Sequence, residues 1–279
     1  MAGNGRRLER LCGPGGDRIT VAPGVAGIER VEAHLHGQAF APHRHDTYAI
    51  GITLSGVQTF RFRGQRWQCL PGQCHILHPD ETHDGAAGTD EGFAYRILYI
   101  DPALVQEALD GAPLPFVSRP VVPESRLRQR HGIWDIDADI DEVARLDLVL
   151  AAADLLQAEA GTARSSGVLA AQRLRRARDC IAAAPAERHS ASELEAVAGL
   201  DRWTLARQFR AAFGTSPSRF RTMRQLDLVR RSMRQGTSLA EASIAAGFAD
   251  QSHMSRHFKA TYGITPGAWV SAIRPHDRS

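Results

Sequence analysis

The chain of 279 residues is 43% hydrophobic and 23% charged, which predicts a folded, soluble protein with enough apolar material for two domains. Its net charge of +3 is unevenly spread: residues 1–169 carry 16 Lys+Arg against 22 Asp+Glu, and residues 170–279 carry 18 against 9, so a polyanion would bind the C-terminal third. The opening "MAGNGRRLERLCGPGGDR" has no apolar stretch of signal-peptide length and the alanine-rich run near 148–156 is broken by Asp154, while Cys12, Cys69, Cys74 and Cys180 form no CxxC pair; these features argue against export, a membrane anchor, a disulfide scaffold and a cysteine-rich zinc site, and predict a cytoplasmic protein.

From about Thr20 to Ile100 the apolar residues alternate, and "YAIGITLSG", "VQTFRFRG", "QRWQCLPG" and "QCHILHPDETH" are short runs closed by Gly or Pro. That spacing predicts an antiparallel β-barrel or a double-sheet jelly roll. Between 101 and 160 the period changes: "DPALVQEALDG" and "DIDEVARLDLVLAAADLLQAEAG" read as helices, the second with Val143, Leu146, Leu150 and Leu155 at helical spacing. Such a helix needs a cover, either a second copy of the chain or the barrel itself. "AGTARSSG" at 160–167 is small, polar and aperiodic, as a linker is. The expected organisation is therefore a barrel over 1–110, a helical dimerisation segment over 111–160, a linker over 161–172 and a helical domain over 173–279.

The helical third contains a duplication. "RQFRAAFGTSPSRF" at 207–220 and "RHFKATYGITPGAW" at 256–269 share Arg, aromatic, basic, Ala, aromatic, Gly, Pro and aromatic positions at an offset of 49. Each copy has the anatomy of a helix-turn-helix. Ser190 and Glu193 form a capping box, Gly199 the turn and Asp201 the next cap; Ser238, Glu241, Gly247 and Asp250 repeat the arrangement. With Leu205, Phe209 and Phe213 turned inward, the first recognition helix presents Arg202, Trp203, Ala206, Arg207 and Arg210. With Met254, Phe258 and Tyr262 inward, the second presents Gln251, Ser252, Ser255, Arg256 and Lys259. Between them "SRFRTMRQLDLVRRSMRQG" reads as one helix of about 28 Å at about 1.5 Å per residue, close to the spacing of successive major grooves at about 34 Å. Arg207 and Arg256 suit guanine and Gln251 suits adenine, while the remaining arginines would hold phosphates.

"AGLDRWTLARQFRAAFGTSPSRF" and "AEASIAAGFADQSHMSRHFKATYGITPGAW" resemble the paired helix-turn-helix domain of the AraC/XylS family of bacterial transcription regulators, over residues 173–272. The preceding region is similar to that family's cupin-like effector domain, with "PHRHDTYAI", "LPGQ" and "HPDETH" at the usual places. The resemblance implies a multidomain α+β protein, a cupin-like β-barrel followed by helices and an all-α double helix-turn-helix. It further implies a cytoplasmic regulator that binds double-stranded promoter DNA, responds to a small-molecule effector, often forms a homodimer and can contact RNA polymerase.

His43 and His45 form an H-x-H, and His83 stands where a cupin enzyme takes a further metal ligand. The glutamate expected a few residues after the H-x-H is missing, and Asp46 points to the opposite face of an extended strand from His45. The favoured expectation is therefore a polar organic effector in a pocket lined by His43, His45, Tyr48, Trp67, His78 and His83, with no catalytic residues, no metal and no cofactor. The alternative is a metal-dependent cupin enzyme or metal sensor carrying a DNA-binding tail. Arg61 and Arg63 share one face of "TFRFRG", opposite Phe60 and Phe62, and should point outward.

Overall fold

In a computed structural model the described residues are 17–22, 25–123, 140–160 and 170–274. Strands β1 (Arg18–Val21), β2 (Ile28–Leu35), β3 (Gln38–His43), β4 (Tyr48–Gly56), β5 (Gln58–Phe62), β6 (Gln65–Cys69), β7 (Cys74–Leu77), β8 (His83–Ala87) and β9 (Phe93–Ile100) follow the alternating stretch closely. They form two hydrogen-bonded sheets that do not close on one another. One has the order β10-β7-β4-β9-β2-β1-β11, where β10 is Val121–Val122 and β11 is Ile273–Arg274; the other has the order β3-β8-β5-β6. The double-sheet form expected from the turn spacing is the one realised, and the closed barrel is not.

Alternation divides the larger sheet into two faces. Tyr48 and Ile50 of β4, Cys74 and Ile76 of β7, and Leu98 and Ile100 of β9 enter one apolar cluster. Ala49, Leu77, Tyr95 and Ile97, one residue out of step, enter another together with Phe60 and Phe62 of the smaller sheet. Helices α1 (Pro102–Ala108) and α2 (Glu142–Glu159) cover the first face, where α2 buries Leu148, Val149, Ala152, Ala153, Leu155 and Leu156. The helix is thus covered by the sheet, through a face that includes Leu155 alone of the four residues singled out in the sequence. Val143, Leu146 and Leu150 remain exposed. The sheet domain also runs past residue 110, because Val121 and Val122 pair with His75 and Cys74.

The helical half begins at α3 (Ala171–Ala183), two residues before the expected boundary; 161–169 of the expected linker lie outside the described residues. Helices α4 (Ala191–Ala198), α5 (Arg202–Phe213), α6 (Pro217–Arg234), α7 (Leu239–Ala245), α8 (Gln251–Tyr262) and α9 (Pro266–Ala272) complete it. The first unit has a cluster separate from both sheet faces, in which Leu174 and Ile181 of α3 meet Leu205, Phe209, Phe213 and Phe220, with Ala103 of α1 joining them. The second unit does not: Leu226, Met233, Phe248, Met254, Phe258 and Trp269 share one cluster with the second sheet face. β1 and β11 also pair in parallel, Ile19 opposite Ile273. The two halves are joined by a continuous apolar core.

Candidate DNA-binding face and interdomain cavity

Both helix-turn-helix units are capped as the sequence requires. The Ser190 hydroxyl accepts from the Glu193 N–H while the Glu193 carboxylate accepts from the Ser190 N–H, and Ser238 with Glu241 does the same. Asp201 accepts from the N–H groups of Trp203 and Thr204, and Asp250 from that of His253. Leu205, Phe209 and Phe213 of α5 are buried, as are Met254 and Phe258 of α8, with Tyr262 half-buried. Arg202, Trp203, Ala206, Arg207 and Arg210 are exposed on α5; Gln251, Ser252, Arg256 and Lys259 are exposed on α8 with Ser255 half-exposed. Trp203 is 78% exposed, unusual for so large an apolar side chain unless it meets a partner.

The C-terminal ends of α5 and α8 rest on the sheet domain. Each stops at a glycine in the left-handed conformation, Gly214 at φ 71° and Gly263 at φ 73°. A side chain on Gly214 would collide with Pro79, and one on Gly263 with the Ala41 carbonyl and the His43 ring, so these positions need glycine both for their backbone and for the close approach. The Ala41 N–H donates to the Gly263 carbonyl and the Arg44 N–H to the Ala260 carbonyl, each at 3.2 Å. Asp80 gathers three guanidinium groups, those of Arg44 (3.6 Å), Arg210 (3.5 Å) and Arg219 (3.7 Å). Further along the seam Arg224 pairs with Asp46 at 2.8 Å, and Arg230 holds both oxygens of Glu29 at 2.6 and 2.7 Å.

Between the halves lies a cavity of about 660 Å³. Its sheet-domain wall includes Val31, Phe60, Leu77 and Ile97, and its helical wall includes Met223, Leu228 and Trp269. Arg231 and Arg234 line the helical side; the Arg234 guanidinium lies over the Trp269 ring at 5.4 Å and makes no ion pair among the described residues. His43, His45 and His83 line the opposite side, where β3 pairs with β8 and sets His43 across from His83. Their ring centroids are 4.3 Å (His43 to His83), 4.9 Å (His45 to His83) and 6.2 Å (His43 to His45) apart. Burial, then the neighbouring imidazole, lowers the pKa of each to about 3, so all three are neutral at physiological pH.

The structure brings together only part of the pocket expected from the sequence. His43, His45 and His83 converge, but Tyr48 and His78 lie on the far face of the sheet. The Tyr48 hydroxyl donates to the Pro115 carbonyl at 2.9 Å and the His78 Nε2 accepts from the Val117 N–H at 3.0 Å. Both belong to the set of alternate residues that includes Ile50 and Ile76, which excludes them from the cavity. Trp67, opposite Phe60 on the outermost strand of the small sheet, packs against the core but is not part of the cavity wall. Arg61 is exposed as expected, whereas Arg63, past the end of β5 at φ 51°, folds onto Phe116, Glu81 and the Val117 carbonyl and is not part of the cavity wall. The residue missed is His75, which is 1% exposed, lines the cavity and has no hydrogen-bond partner on either ring nitrogen among the described residues. Alternation would have found it: His75 shares a face with Leu77, and His78 with Ile76. The contribution of α6 and α9 to the cavity had no signal in the local sequence.

Residues 25–136 match the AraC-like ligand binding domain family and residues 194–272 a helix-turn-helix domain family. An uncharacterized HTH-type transcriptional regulator of Bacillus subtilis, YbfI, is 23% identical over 242 residues, covering 81% of this chain and 88% of that one. The transcriptional activator NphR of Rhodococcus is 32% identical over 147 residues, 49% of this chain and 42% of its own. Among solved structures, unsaturated fatty acid bound ToxT from Vibrio cholerae superposes with a TM-score of 0.64 at 12% identity, covering 91% of this chain and 99% of that one, a likeness of fold. An AraC-like ligand-binding domain followed by a duplicated helix-turn-helix, with relatives that are transcription regulators, makes this chain a member of the AraC family of transcriptional regulators.

Proposed function

We propose that the interdomain cavity is the effector site of this regulator and that its occupancy controls how α5 and α8 are presented to promoter DNA. The observation that carries this reading is that one cavity is walled by both halves while both recognition helices end on the sheet domain beside it. Anything that swells or tightens the cavity changes the seam on which those helices are seated. Apolar walls, neutral imidazoles and the arginine pair Arg231 and Arg234 suit an amphipathic organic anion. The fatty acid in the ToxT structure is of that class.

On the DNA side, Arg202, Trp203, Ala206, Arg207 and Arg210 of α5 and Gln251, Ser252, Ser255, Arg256 and Lys259 of α8 form the two reading faces. The 18 residues of α6 set them about 27 Å apart along that helix, which suits two successive major grooves. Arg210 has a competing partner in Asp80, so opening the seam would free it for a phosphate. The exposed Val143, Leu146 and Leu150 of α2 are spaced i, i+3, i+7 and form the candidate homodimer contact. The protein acts in the cytoplasm without catalysis of its own, and an RNA polymerase contact belongs to the same reading.

In vitro selection from random duplex DNA at a stated near-physiological salt concentration tests the assignment. The expected result is two short motifs about one helical turn apart. Arg207→Ala and Arg256→Ala should each weaken specific binding by about 1–3 kcal/mol and relax preference in one motif only. Unchanged preference in both variants would show that these helix faces do not read bases.

A further inference from the structure

The geometry of the histidine cluster points to a function beyond lining a pocket. We propose that His43, His45 and His83 form a binding site for a divalent first-row transition-metal ion. One ring nitrogen from each lies within 4.8 Å of those of the other two. Nδ1 of each ring faces a backbone carbonyl two residues away: Nδ1 of His43 that of Ala41 at 2.9 Å, Nδ1 of His45 that of Thr47 at 3.0 Å, with the Thr47 hydroxyl also 3.2 Å away, and Nδ1 of His83 that of Glu81 at 3.0 Å.

A carbonyl oxygen can only accept, so each Nδ1 carries the proton and donates it, which leaves the lone pair on Nε2. Three Nε2 lone pairs then share one side of the cavity, and none has a hydrogen-bond donor among the described residues. Packing alone has no need of three separate residues locked in one tautomer with their acceptors gathered together. A Lewis acid does, because a metal-bound imidazole characteristically donates its other N–H to a backbone carbonyl or carboxylate that fixes ring and tautomer.

The donor set also selects the ion. Three imidazoles without a carboxylate suit zinc, iron, nickel or copper and not magnesium or calcium. Three protein ligands leave a coordination position for a fourth, as in zinc sites that keep a water or substrate. All three histidines line the cavity, so that fourth ligand comes from its contents, and an ion still carrying its full +2 charge favours an anionic oxygen. The missing glutamate is therefore no obstacle to binding; it changes the charge of the site. The ion would also brace β3, whose Ala41 N–H seats the end of α8. That last consequence rests on the effector reading of the cavity, whereas metal binding itself does not.

The test uses full-length protein stripped with a chelator and titrated with Co(II), then with Zn(II) in competition, without DNA or effector. One equivalent per chain is expected, with Co(II) ligand-field bands. His45→Ala and His83→Ala should each weaken binding by at least about 100-fold, beyond the 10- to 100-fold typical of losing an outer-shell partner. His78→Ala, on the far face, should bind as the parent does. Sub-stoichiometric uptake by the folded parent would overturn the proposal. So would undiminished binding in both cluster variants, which would place the ion elsewhere, for instance on the His253 and His257 pair of α8, 3.0 Å apart. Should the variants fail to fold, Cu(II) spin resonance of the parent decides: coupling to three nitrogens supports the site, and coupling to fewer rejects it. Because no DNA enters the measurement, its failure would leave the effector reading standing.

Discussion

The two faces of the seven-stranded sheet are made by the same strands and are built for different ends. The face under α1 and α2 is almost wholly aliphatic, and the polar side chains of Tyr48 and His78 on it are hydrogen-bonded. The face toward the helical half carries small residues at Ala49 and Gly51, rings at His75, Tyr95 and Tyr99, and a cavity. A period of two lets one strand supply stability on one side and recognition on the other. Substitutions one residue apart in sequence should therefore report on different properties.

The largest expected effect is on the covered face. Leu156, on the sheet-facing side of α2, is fully buried, and Leu156→Ala should cost about 2–5 kcal/mol, the range for a buried leucine truncated in a core that relaxes incompletely. Urea unfolding followed by circular dichroism measures it. A loss well under 1 kcal/mol would mean that α2 is held by something other than the sheet, such as a second copy of the chain through Val143, Leu146 and Leu150.

A smaller effect on the same face depends on pH. Burial, with the Arg63 charge adding to it, lowers the pKa of His78 to about 3, and its Nε2 must stay unprotonated to accept from Val117. The unfolded chain takes up this proton near pH 6.5 and the folded one does not, so stability is lost as pH falls below about 6.5, by up to about 1.4 kcal/mol per pH unit for this group. His78→Phe should lose about 1 kcal/mol at neutral pH through the missing hydrogen bond and show a flatter decline between pH 6.5 and 5. An equally steep decline would assign the acid sensitivity to the other buried histidines.

On the cavity face the limiting factor is space. A methyl group at Gly51 would meet the His75 ring, so Gly51→Ala should cost about 1–3 kcal/mol by overpacking and should be partly rescued by a smaller side chain at 75. Absence of rescue in the double variant would show that the two positions are not coupled.

The contrast between the faces also explains what could be read in advance. Short alternating runs closed by Gly or Pro are local signals, and so are S-x-x-E boxes; strands, caps and the exposed faces of α5 and α8 follow from them within a residue or two. The exposed Arg207 and Arg256 were legible because the helical period assigns each residue a side. His43, His45 and His83 were legible as residue types, yet their convergence depends on the β3 and β8 pairing, a contact across 40 residues of sequence. The expected pocket positions of Tyr48 and His78 differ from the structure because the alternation of their own strands puts them with Ile50 and Ile76. The helical wall of the cavity was invisible, since Arg234 and Trp269 face it only because the second helix-turn-helix shares its core with the sheet.

His75 gives the smallest effect on stability and the sharpest test of the comparison. Both of its ring nitrogens are buried without a partner among the described residues, and an unpaired buried polar group costs about 1–3 kcal/mol of desolvation. Burial also lowers its pKa to about 4, so the ring is neutral and holds one unused donor and one unused acceptor at the cavity wall. A protein keeps such a group at a stability cost where a ligand completes it. His75→Leu should therefore leave the unfolding free energy unchanged or raise it by about 1–2 kcal/mol, the reverse of Leu156→Ala. The same substitution should reduce the thermal stabilisation that a cavity-binding organic anion confers on the parent protein. If His75→Leu instead destabilised the fold by as much as a core truncation, the inner face would be a packing surface like the outer one, and the division of labour between them would fall.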